Sequence, residues 1–166
     1  MEKSALHIRP AQSLDREGIW RIIGPVIRKG ETYALPRQWG RRQALAYWMD
    51  VSHRVYVAVA SDEQIVGTYY LHSNQMGGGQ HIANAGFVAV SGHGAGRLMG
   101  EHAIEEAGRL GFRAMQFNCV VSTNLRAIEL WKDLGFRILT ALPGAFEHPT
   151  HGYVDALIMW QDLPQR

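Results

Sequence analysis

The segment Val88–Leu98 constrains the fold more strongly than any other part of the chain, and it reads Val-Ala-Val-Ser-Gly-His-Gly-Ala-Gly-Arg-Leu. An apolar run typical of a strand ends here in closely spaced glycines, and a pattern of helical spacing begins near Arg97. Glycines at the start of a helix leave backbone N–H groups uncovered, and these groups together with the helix dipole attract phosphate oxygens. The segment therefore predicts a strand, a tight turn and a helix that together bind a phosphorylated ligand.

The composition narrows the class of protein. The 166 residues fit one domain, residues 1–166, and a net charge of +2 gives no reason to expect nucleic-acid binding. Cys119 is the single cysteine, which excludes an intrachain disulfide and suits a reducing compartment. The sequence shows neither an apolar run of membrane-spanning length nor the apolar core of a signal peptide. We therefore expect a cytoplasmic enzyme or binding module that contacts neither nucleic acid nor membrane.

Hydrophobic periodicity predicts elements in the order β-α-α-β-β-β-α-β-α-β-β. The predicted strands are Leu6–Ile8, Arg54–Ala60, Ile65–Leu71, His81–Val90, Ala114–Val121, Phe136–Leu142 and Tyr153–Gln161. The predicted helices run from an N-cap at Ser13 to Ile27, over Ala44–Met49, from about Arg97 to Leu110, and over Asn124–Leu134. Pro143–Gly152 is expected to be a loop. This order predicts an α/β domain with a mixed sheet and helices on its faces.

The glycine turn fits poorly with two common phosphate-binding motifs. A P-loop needs Lys-Ser or Lys-Thr after its last glycine, and Arg97-Leu98 stands there instead. A dinucleotide-binding fold places its glycines after the first strand and an acidic residue after the second. Here the turn follows the fourth predicted strand, and the next strand ends without an acid. A glycine turn with a purely structural role remains the alternative.

A second motif gives the turn its context. The segment Asn124–Phe136 reads Asn-Leu-Arg-Ala-Ile-Glu-Leu-Trp-Lys-Asp-Leu-Gly-Phe. The two segments resemble the signature of the GCN5-related N-acetyltransferase (GNAT) superfamily: Gln/Arg-x-x-Gly-x-Gly/Ala at a helix start, then roughly Asn-x-x-Ala-x-x-Leu-Tyr-x-x-x-Gly-Phe. The order of elements also resembles that family over nearly the whole chain. The resemblance implies a mostly antiparallel twisted sheet of about seven strands, with splayed fourth and fifth strands and about four flanking helices. It also implies an acetyl-CoA-dependent acyltransferase without a metal.

The resemblance also implies roles for individual residues. Those assigned to coenzyme A are Phe87, Val88, Ala89, Val90, Gly92, His93, Gly94, Ala95, Gly96, Arg97, Asn124 and Trp131. The glycines and Arg97 would hold the pyrophosphate, while the backbone of the Phe87–Val90 strand would bond the pantetheine arm and meet the developing oxyanion. Two positions depart from the family pattern. Ser91 replaces its Gln or Arg, and Trp131 replaces the tyrosine that usually protonates the thiolate. Because an indole N–H is not an acid near neutral pH, core packing is the alternative role for Trp131.

A narrower resemblance concerns the acceptor. Segments across most of the chain resemble the yeast acetyltransferases that act on L-azetidine-2-carboxylate, a proline analogue. These segments are Glu31–Tyr33, His81–Phe87, Phe117–Asn124, Trp131–Phe136 and Tyr153–Ile158. That branch places substrate-facing, catalytic asparagines at Asn84 and Asn118. Both are amides within apolar strand runs, and a small polar substrate would satisfy them; the alternative is that they tie the splayed strands together. Glu31, Thr32 and Tyr33 follow the first helix and are expected to shape the acceptor pocket.

The sequence favours direct attack of a neutral amine on acetyl-CoA. If Asn118 faces the cleft, strand alternation turns Cys119 away, which excludes it as a nucleophile. No general base is assigned: His81 is the nearest titratable group but is expected at the surface, and a water held by Asn84 is another route. His148 and His151 lack further ligands at metal-binding spacing, so their loop is expected to cover the acceptor site or form a dimer contact.

Three functions therefore remain open. The first is an N-acetyltransferase for a small amino-acid-like amine, which we expect to be a homodimer with no metal. The second is an enzyme that acetylates a protein N-terminus or a lysine. The third is a non-catalytic acyl-CoA-binding module, which the replacements at Ser91 and Trp131 suggest.

Overall fold

A single seven-stranded sheet in the order β1-β2-β3-β4-β5-β7-β6 organises the chain in the computed structural model, which describes residues 5–165. The strands are β1 (His7–Pro10), β2 (Arg54–Val59), β3 (Ile65–Ser73), β4 (Ile82–Ala89), β5 (Ala114–Val121), β6 (Arg137–His148) and β7 (Gly152–Asp162). The α-helices are α1 (Arg16–Lys29), α2 (Arg41–Trp48), α3 (Ala95–Arg109) and α4 (Leu125–Asp133). The predicted order and the mixed α/β class are confirmed. Residues 1–4 and 166, the ends of the predicted domain, lie outside the described part.

The strands β4 and β5 are parallel and splay apart, whereas all other neighbouring strands are antiparallel. The two strands pair only at Ile82 with Ala114 and at Ala83 with Met115. Beyond these pairs both continue for several residues without bonding to each other. The splay implied by the family resemblance is thereby confirmed, and it opens a gap in the centre of the sheet.

Strand alternation divides the core between the two faces of the sheet. Tyr69 and Leu71 of β3 pack with Met99 of α3 on one face, together with side chains of α4. Tyr70, which lies between them, packs with Trp48 of α2 and with the isoleucines of α1 on the other face. The gap between β4 and β5 is therefore flanked by α3 and α4 on one side and by α1 and α2 on the other. No helix among residues 5–165 is long and apolar enough to cross a bilayer.

The start of α1 differs from the prediction. A one-turn 3₁₀ helix (Ser13–Asp15) precedes α1, and Gln12, not Ser13, stands at its N-cap position. The Asp15 carboxylate accepts a hydrogen bond from the Gln12 backbone N–H (2.7 Å) and pairs with Arg9 (2.7 Å). The backbone N–H at the start of the helix is thus satisfied by Asp15 in the first turn. The charge of this carboxylate interacts with both the backbone N–H and the guanidinium of Arg9.

The prediction of a loop over Pro143–Gly152 is wrong. Strand β6 runs on to His148, whose register partner in β7 is Gly152. The pairing is irregular between Leu142 and Phe146, which accommodates Pro143 in the interval. Proline is tolerated there because β6 is an edge strand, where a missing N–H breaks no ladder bond. A long hairpin therefore takes the place of the expected loop, and its role as a cover over the acceptor site or as a dimer contact stays a prediction.

His148 is part of the turn at the tip of this hairpin. Its Nδ1 accepts hydrogen bonds from the backbone N–H groups of Thr150 and His151, both at 3.2 Å. The ring of His151 lies 4.4 Å from that of His148. Within residues 5–165 no group of three or more His, Cys, Asp or Glu side chains is placed to hold a metal ion.

Candidate active site

A cavity of about 460 Å³ occupies the gap between β4 and β5, within the usual size range of small-molecule sites. Its walls come from both strands, the end of β3, one residue of α1 and the segment after that helix, and one residue of α2. Asn124, at the N-cap of α4, and Ala127 and Trp131 within this helix also line the cavity. The predicted site residues that line it are Thr32, Tyr33, Asn84, Phe87, Val88, Ala89, Asn118, Asn124 and Trp131.

Backbone groups of β4 point into this gap. Val90 N–H donates to Val66 O across the β3–β4 ladder (2.8 Å), so alternate residues of β4 bond to β3. The remaining residues, Phe87 among them, direct their N–H and C=O groups to the opposite side, where no described strand pairs with β4 beyond Ala83. The Tyr33 hydroxyl donates to Phe87 O (3.1 Å), which fixes the loop after α1 against the strand. The other inward groups are placed to bond an extended ligand.

The glycine turn leaves its backbone open. Gly94 stands at the N-cap of α3 with a φ of 72°, and Gly92 has a φ of 91°; L side chains rarely adopt either value. A Cβ added at either position would meet no heavy atom of residues 5–165 within 4 Å, so none of these residues covers this side of the turn. The turn thus fits a diphosphate, because uncovered N–H groups at a helix N-terminus bind anions. Helix α3 begins at Ala95, two residues earlier than the predicted start at Arg97.

Several predicted coenzyme residues lie outside the cavity lining. Val90, His93 and the rest of the turn are not among its lining residues, and His93 is exposed. The Arg97 guanidinium forms an exposed ion pair with Asp133 of α4 (3.0 Å). Arg97 is therefore directed along the flank of α3 toward α4, and its pyrophosphate role stays a prediction.

Asn124 caps α4, and Trp131 packs this helix against the two strands that flank the gap. The Asn124 side-chain oxygen accepts the Ala127 N–H (3.4 Å) and caps the helix. Trp131 is only 7% exposed, and its ring lies 4.8 Å from that of Phe87 and 4.7 Å from that of Phe117. The core-packing alternative for Trp131 agrees with this placement. Its contact with coenzyme A stays a prediction.

The structure brings Asn84 and Asn118 together through a residue that the sequence did not single out. The Asn74 side-chain oxygen accepts hydrogen bonds from Asn84 Nδ2 (3.0 Å) and Asn118 Nδ2 (2.7 Å). Asn118 Oδ1 in turn accepts from Gln116 (3.0 Å). We call Asn74, Asn84 and Asn118 the amide cluster. The cluster bridges the two strands where they begin to diverge. The alternative role of the two asparagines, which is to tie the strands together, therefore corresponds to hydrogen bonds that are present. Their substrate role stays a prediction.

Of the three predicted residues after α1, only two reach the cavity. Thr32 and Tyr33 line it, whereas Glu31 lies outside the lining and pairs with Lys29 (3.3 Å). Burial raises the pKa of the Tyr33 hydroxyl far above its ordinary value, so it keeps its proton and remains a hydrogen-bond donor.

A wall of aromatic rings, which the sequence also did not reveal, faces the amide cluster. The ring of His53 stacks on Tyr70 at 4.3 Å and lies 4.8 Å from His72. The Tyr47 and Tyr70 hydroxyls are hydrogen-bonded at 3.2 Å. Tyr47, Tyr70 and His72 line the cavity. Burial, reinforced by the neighbouring His53, lowers the pKa of His72 below that of a free histidine.

Cys119 lines the cavity, so the expectation that strand alternation turns it away from the cleft is wrong. Pairing between β5 and β7 is irregular from Phe117 to Val120, so strand alternation is interrupted there, and Cys119 lines the cavity together with Asn118. Burial raises the pKa of its thiol. A raised pKa lowers the thiolate fraction, which makes Cys119 a poor nucleophile for a different reason.

Comparison with known proteins agrees with this architecture. The acetyltransferase (GNAT) family matches residues 22–136. N-acetyltransferase aca1 of Schizosaccharomyces pombe is 29% identical, and the match covers 86% of this chain and 78% of that protein. A GCN5-related N-acetyltransferase from Kribbella flavida is 41% identical and superposes with a TM-score of 0.91 over 96% of this chain and 98% of that chain. The GNAT phosphinothricin acetyltransferase of Sinorhizobium meliloti in complex with acetyl-CoA shares the fold, with 17% identity and a TM-score of 0.82 over 95% of this chain and 88% of that chain. The chain therefore belongs to the acetyltransferase (GNAT) family and is an acyltransferase that uses acetyl-CoA.

Proposed function

We propose that the protein transfers the acetyl group of acetyl-CoA to the amine nitrogen of a small amino-acid-like acceptor. The observation that carries the proposal is the cavity at the splay. Uncovered backbone groups of β4 and the glycine turn lie along one route into it, and Asn84 and Asn118 of the amide cluster line it. A thioester held along β4 would thus have its carbonyl beside side chains suited to a polar acceptor.

The chain's own groups fit the donor. Acetyl-CoA supplies an acetyl group activated as a thioester. The N–H groups around Gly92 and Gly94 would bind its pyrophosphate, and the inward N–H of Phe87 and backbone groups of Ala89 would bond the pantetheine amides. An inward N–H of β4 would also polarise the thioester carbonyl and stabilise the charge that develops on its oxygen.

The lining of the cavity favours a small acceptor with no net charge. Among the described residues that form its walls there is no Lys, Arg, Asp or Glu. A cationic protein tail would find no carboxylate there, whereas a zwitterionic amino acid could place its carboxylate against amide and hydroxyl donors. Azetidine-2-carboxylate, which the narrower sequence resemblance suggests, has this chemistry: one ring nitrogen and one carboxylate on a small apolar ring.

A free-thiol release assay tests the proposal. Purified protein and acetyl-CoA are combined with azetidine-2-carboxylate, proline, primary amino acids and a lysine-rich peptide. We expect thiol release with the cyclic amino acids above that with the peptide. Preference for the peptide would contradict the acceptor class, and tight coenzyme binding without turnover on any amine would support the non-catalytic alternative.

The Asn118→Ala variant separates the two roles of the amide cluster. We expect kcat/KM for the acceptor to fall at least about tenfold, the cost of roughly one good hydrogen bond in the transition state. Calorimetry should give the same acetyl-CoA affinity as the wild type. The matched control is Gln64→Ala, which removes an exposed amide from the β2–β3 turn. Loss of coenzyme affinity in Asn118→Ala would show a structural or coenzyme-binding role instead.

A further inference from the structure

The acceptor amine must lose a proton before it attacks, and the cavity contains few groups that can take it. The titratable side chains among its described lining residues are three tyrosines, Cys119 and His72. Burial raises the pKa of Tyr33, Tyr70 and Cys119, so these groups hold their protons at neutral pH. The Tyr47 hydroxyl is engaged with Tyr70. Histidine is the one side-chain type here that ordinarily changes charge between pH 5 and pH 8.

His72 also stands where a base is needed. In the β3–β4 ladder its register partner is Asn84. Directly opposite residues of an antiparallel pair project to the same face with Cβ atoms about 4.5–5.5 Å apart, so His72 lies beside the amide cluster. The ring is half-buried and contacts the cavity. An acceptor bound to the amide cluster therefore lies next to the imidazole.

The neighbours of His72 hold it in a neutral, oriented state. The ring of His53 lies 4.8 Å from it and that of Tyr70 lies 5.6 Å away. His53 Nδ1 is 3.1 Å from Trp48 O, and because a carbonyl only accepts, this nitrogen carries a proton. Burial and His53 lower the pKa of His72, while the Ser73 backbone and Asp50 act in the opposite direction. The balance leaves the imidazole uncharged at pH 7 and able to accept a proton.

We propose that His72 is the base that takes the proton from the acceptor amine. This role rests on the proposed function. The imidazole takes one proton from the ammonium form of the acceptor, and the freed lone pair forms the C–N bond as the C–S bond of the thioester breaks. The second proton on the nitrogen leaves with the sulfur as the free thiol, and His72 then releases its proton to solvent. The same apolar walls destabilise the bound ammonium, which helps it to lose its proton.

The pH dependence of kcat/KM distinguishes this role from a structural one. With His72 present, the acceptor reacts in its ammonium form, and the enzyme needs only to have His72 neutral. The kcat/KM of the wild type should therefore rise until the pH exceeds the pKa of His72, which lies below 6.5, and then stay constant. An amine with a pKa of about 10.4 is free in only roughly one molecule in 2,500 at pH 7. The His72→Gln variant can use only the free amine. Because the fraction of free amine grows about tenfold per pH unit, its kcat/KM should rise by the same factor from pH 6 to 9. At pH 7 we expect a loss of about 10²-fold or more, narrowing as the pH rises.

The control is His81→Gln, which removes an exposed histidine that lies at the start of β4 and outside the cavity lining. It should keep the wild-type profile. His72→Asn serves as a second variant if His72→Gln does not fold, as judged by thermal melting. Parallel pH profiles for the wild type and a folded His72 variant would overturn the role of His72 and leave the proposed function standing. Absence of thiol release by the wild type with every amine would overturn both.

A direct titration provides a readout independent of turnover. In protein labelled with ¹³C-histidine, the ring signal missing from His72→Gln should titrate with a midpoint below 6.5. Addition of coenzyme A and azetidine-2-carboxylate should move this signal and leave that of His81 in place. A midpoint above about 7 would leave His72 charged at neutral pH and would overturn its role as the base.

Discussion

The substitution Gly86→Ala tests how tightly the wall of the acceptor cavity is packed. A Cβ at this position in β4 would lie 2.6 Å from Cε1 and Cζ of Tyr70. Ordinary contact begins at 3.4 Å, so the ring would have to retreat by 3.4 − 2.6 = 0.8 Å. It is 5% exposed, stacked on His53 at 4.3 Å and edge-on to Trp48 at 4.8 Å, so it cannot retreat without moving these rings. Overpacking of this kind costs about 1–3 kcal/mol.

The expected result is a lower melting temperature together with weaker acceptor use. For a domain of this size each kcal/mol shifts Tm by about 2–4 °C, so Gly86→Ala should melt roughly 2–12 °C below the wild type. The displaced Tyr70 lines the cavity, so KM for the acceptor should rise while acetyl-CoA affinity, measured by calorimetry, stays unchanged.

The matched control is Gly108→Ala in α3, where the nearest atom to an added Cβ is Pro164 O at 4.0 Å. Alanine favours the helix there by up to about 1 kcal/mol, so this variant should melt at or slightly above the wild type. Differential scanning calorimetry of both variants gives the comparison. If Gly86→Ala melts within about 1 °C of the wild type and binds the acceptor normally, the reasoning on Tyr70 is refuted.

Three further predictions concern the coenzyme, the thiol and the assembly. Gly94→Ala forces a left-handed conformation (φ 72°) on alanine at about 1–2 kcal/mol, and we expect weaker acetyl-CoA binding in calorimetry with little change in acceptor KM. A change confined to the acceptor would contradict the site assigned to the turn. Cys119→Ser should keep the wild-type turnover, and mass spectrometry of wild-type protein quenched during turnover should find no acetylated thiol. The expected homodimer should show a mass near twice 18.6 kDa by light scattering, and a mass of 18.6 kDa would show a monomer.

Signals from residues close together in the sequence were sufficient to predict most of the helices and strands. The strand, glycine turn and helix predicted at Val88–Leu98 are present, and glycines with positive φ, Gly111 and Gly135, follow the ends of α3 and α4. These features depend on residues close together in the chain. Hydrophobic spacing and the special backbone freedom of glycine therefore reveal them without knowledge of tertiary structure.

The length of β6 was not predictable from the same signals. Pro143 and Gly144 are typical of a loop, and only the position of β6 at the sheet edge, where an irregular pairing absorbs them, allows the strand to continue. Edge position is a property of the assembled sheet. The interval between Leu142 and Phe146 carries no mark in the sequence that distinguishes such an irregularity from a true loop.

Only part of the candidate site was predicted, because the rest of it also depends on the assembled sheet. Asn84 and Asn118 stand out because amides are unusual in apolar strands. His72, near the end of β3, and Asn74, just beyond it, do not stand out, because the polar residues around them are typical of an ordinary strand terminus. Their meeting with Asn84 and Asn118 depends on strand register and on the place where β4 and β5 part, which are long-range properties.

The sparse pairing of β4 with β5 also affects the stability of the folded protein. The strands β1–β4 and β5–β7 are joined in the sheet by two residue pairs, so the sheet contains an internal seam as well as its outer edges. A ligand that bonds to the exposed backbone along this seam binds only the folded chain, and at a hundred times its Kd it stabilises that state by about 2.7 kcal/mol. If coenzyme A binds there as proposed, its supply is expected to act on the lifetime of the protein as well as on its turnover. We then expect the protein without coenzyme to open at the seam more often and to present unpaired strand edges to proteases and to other chains.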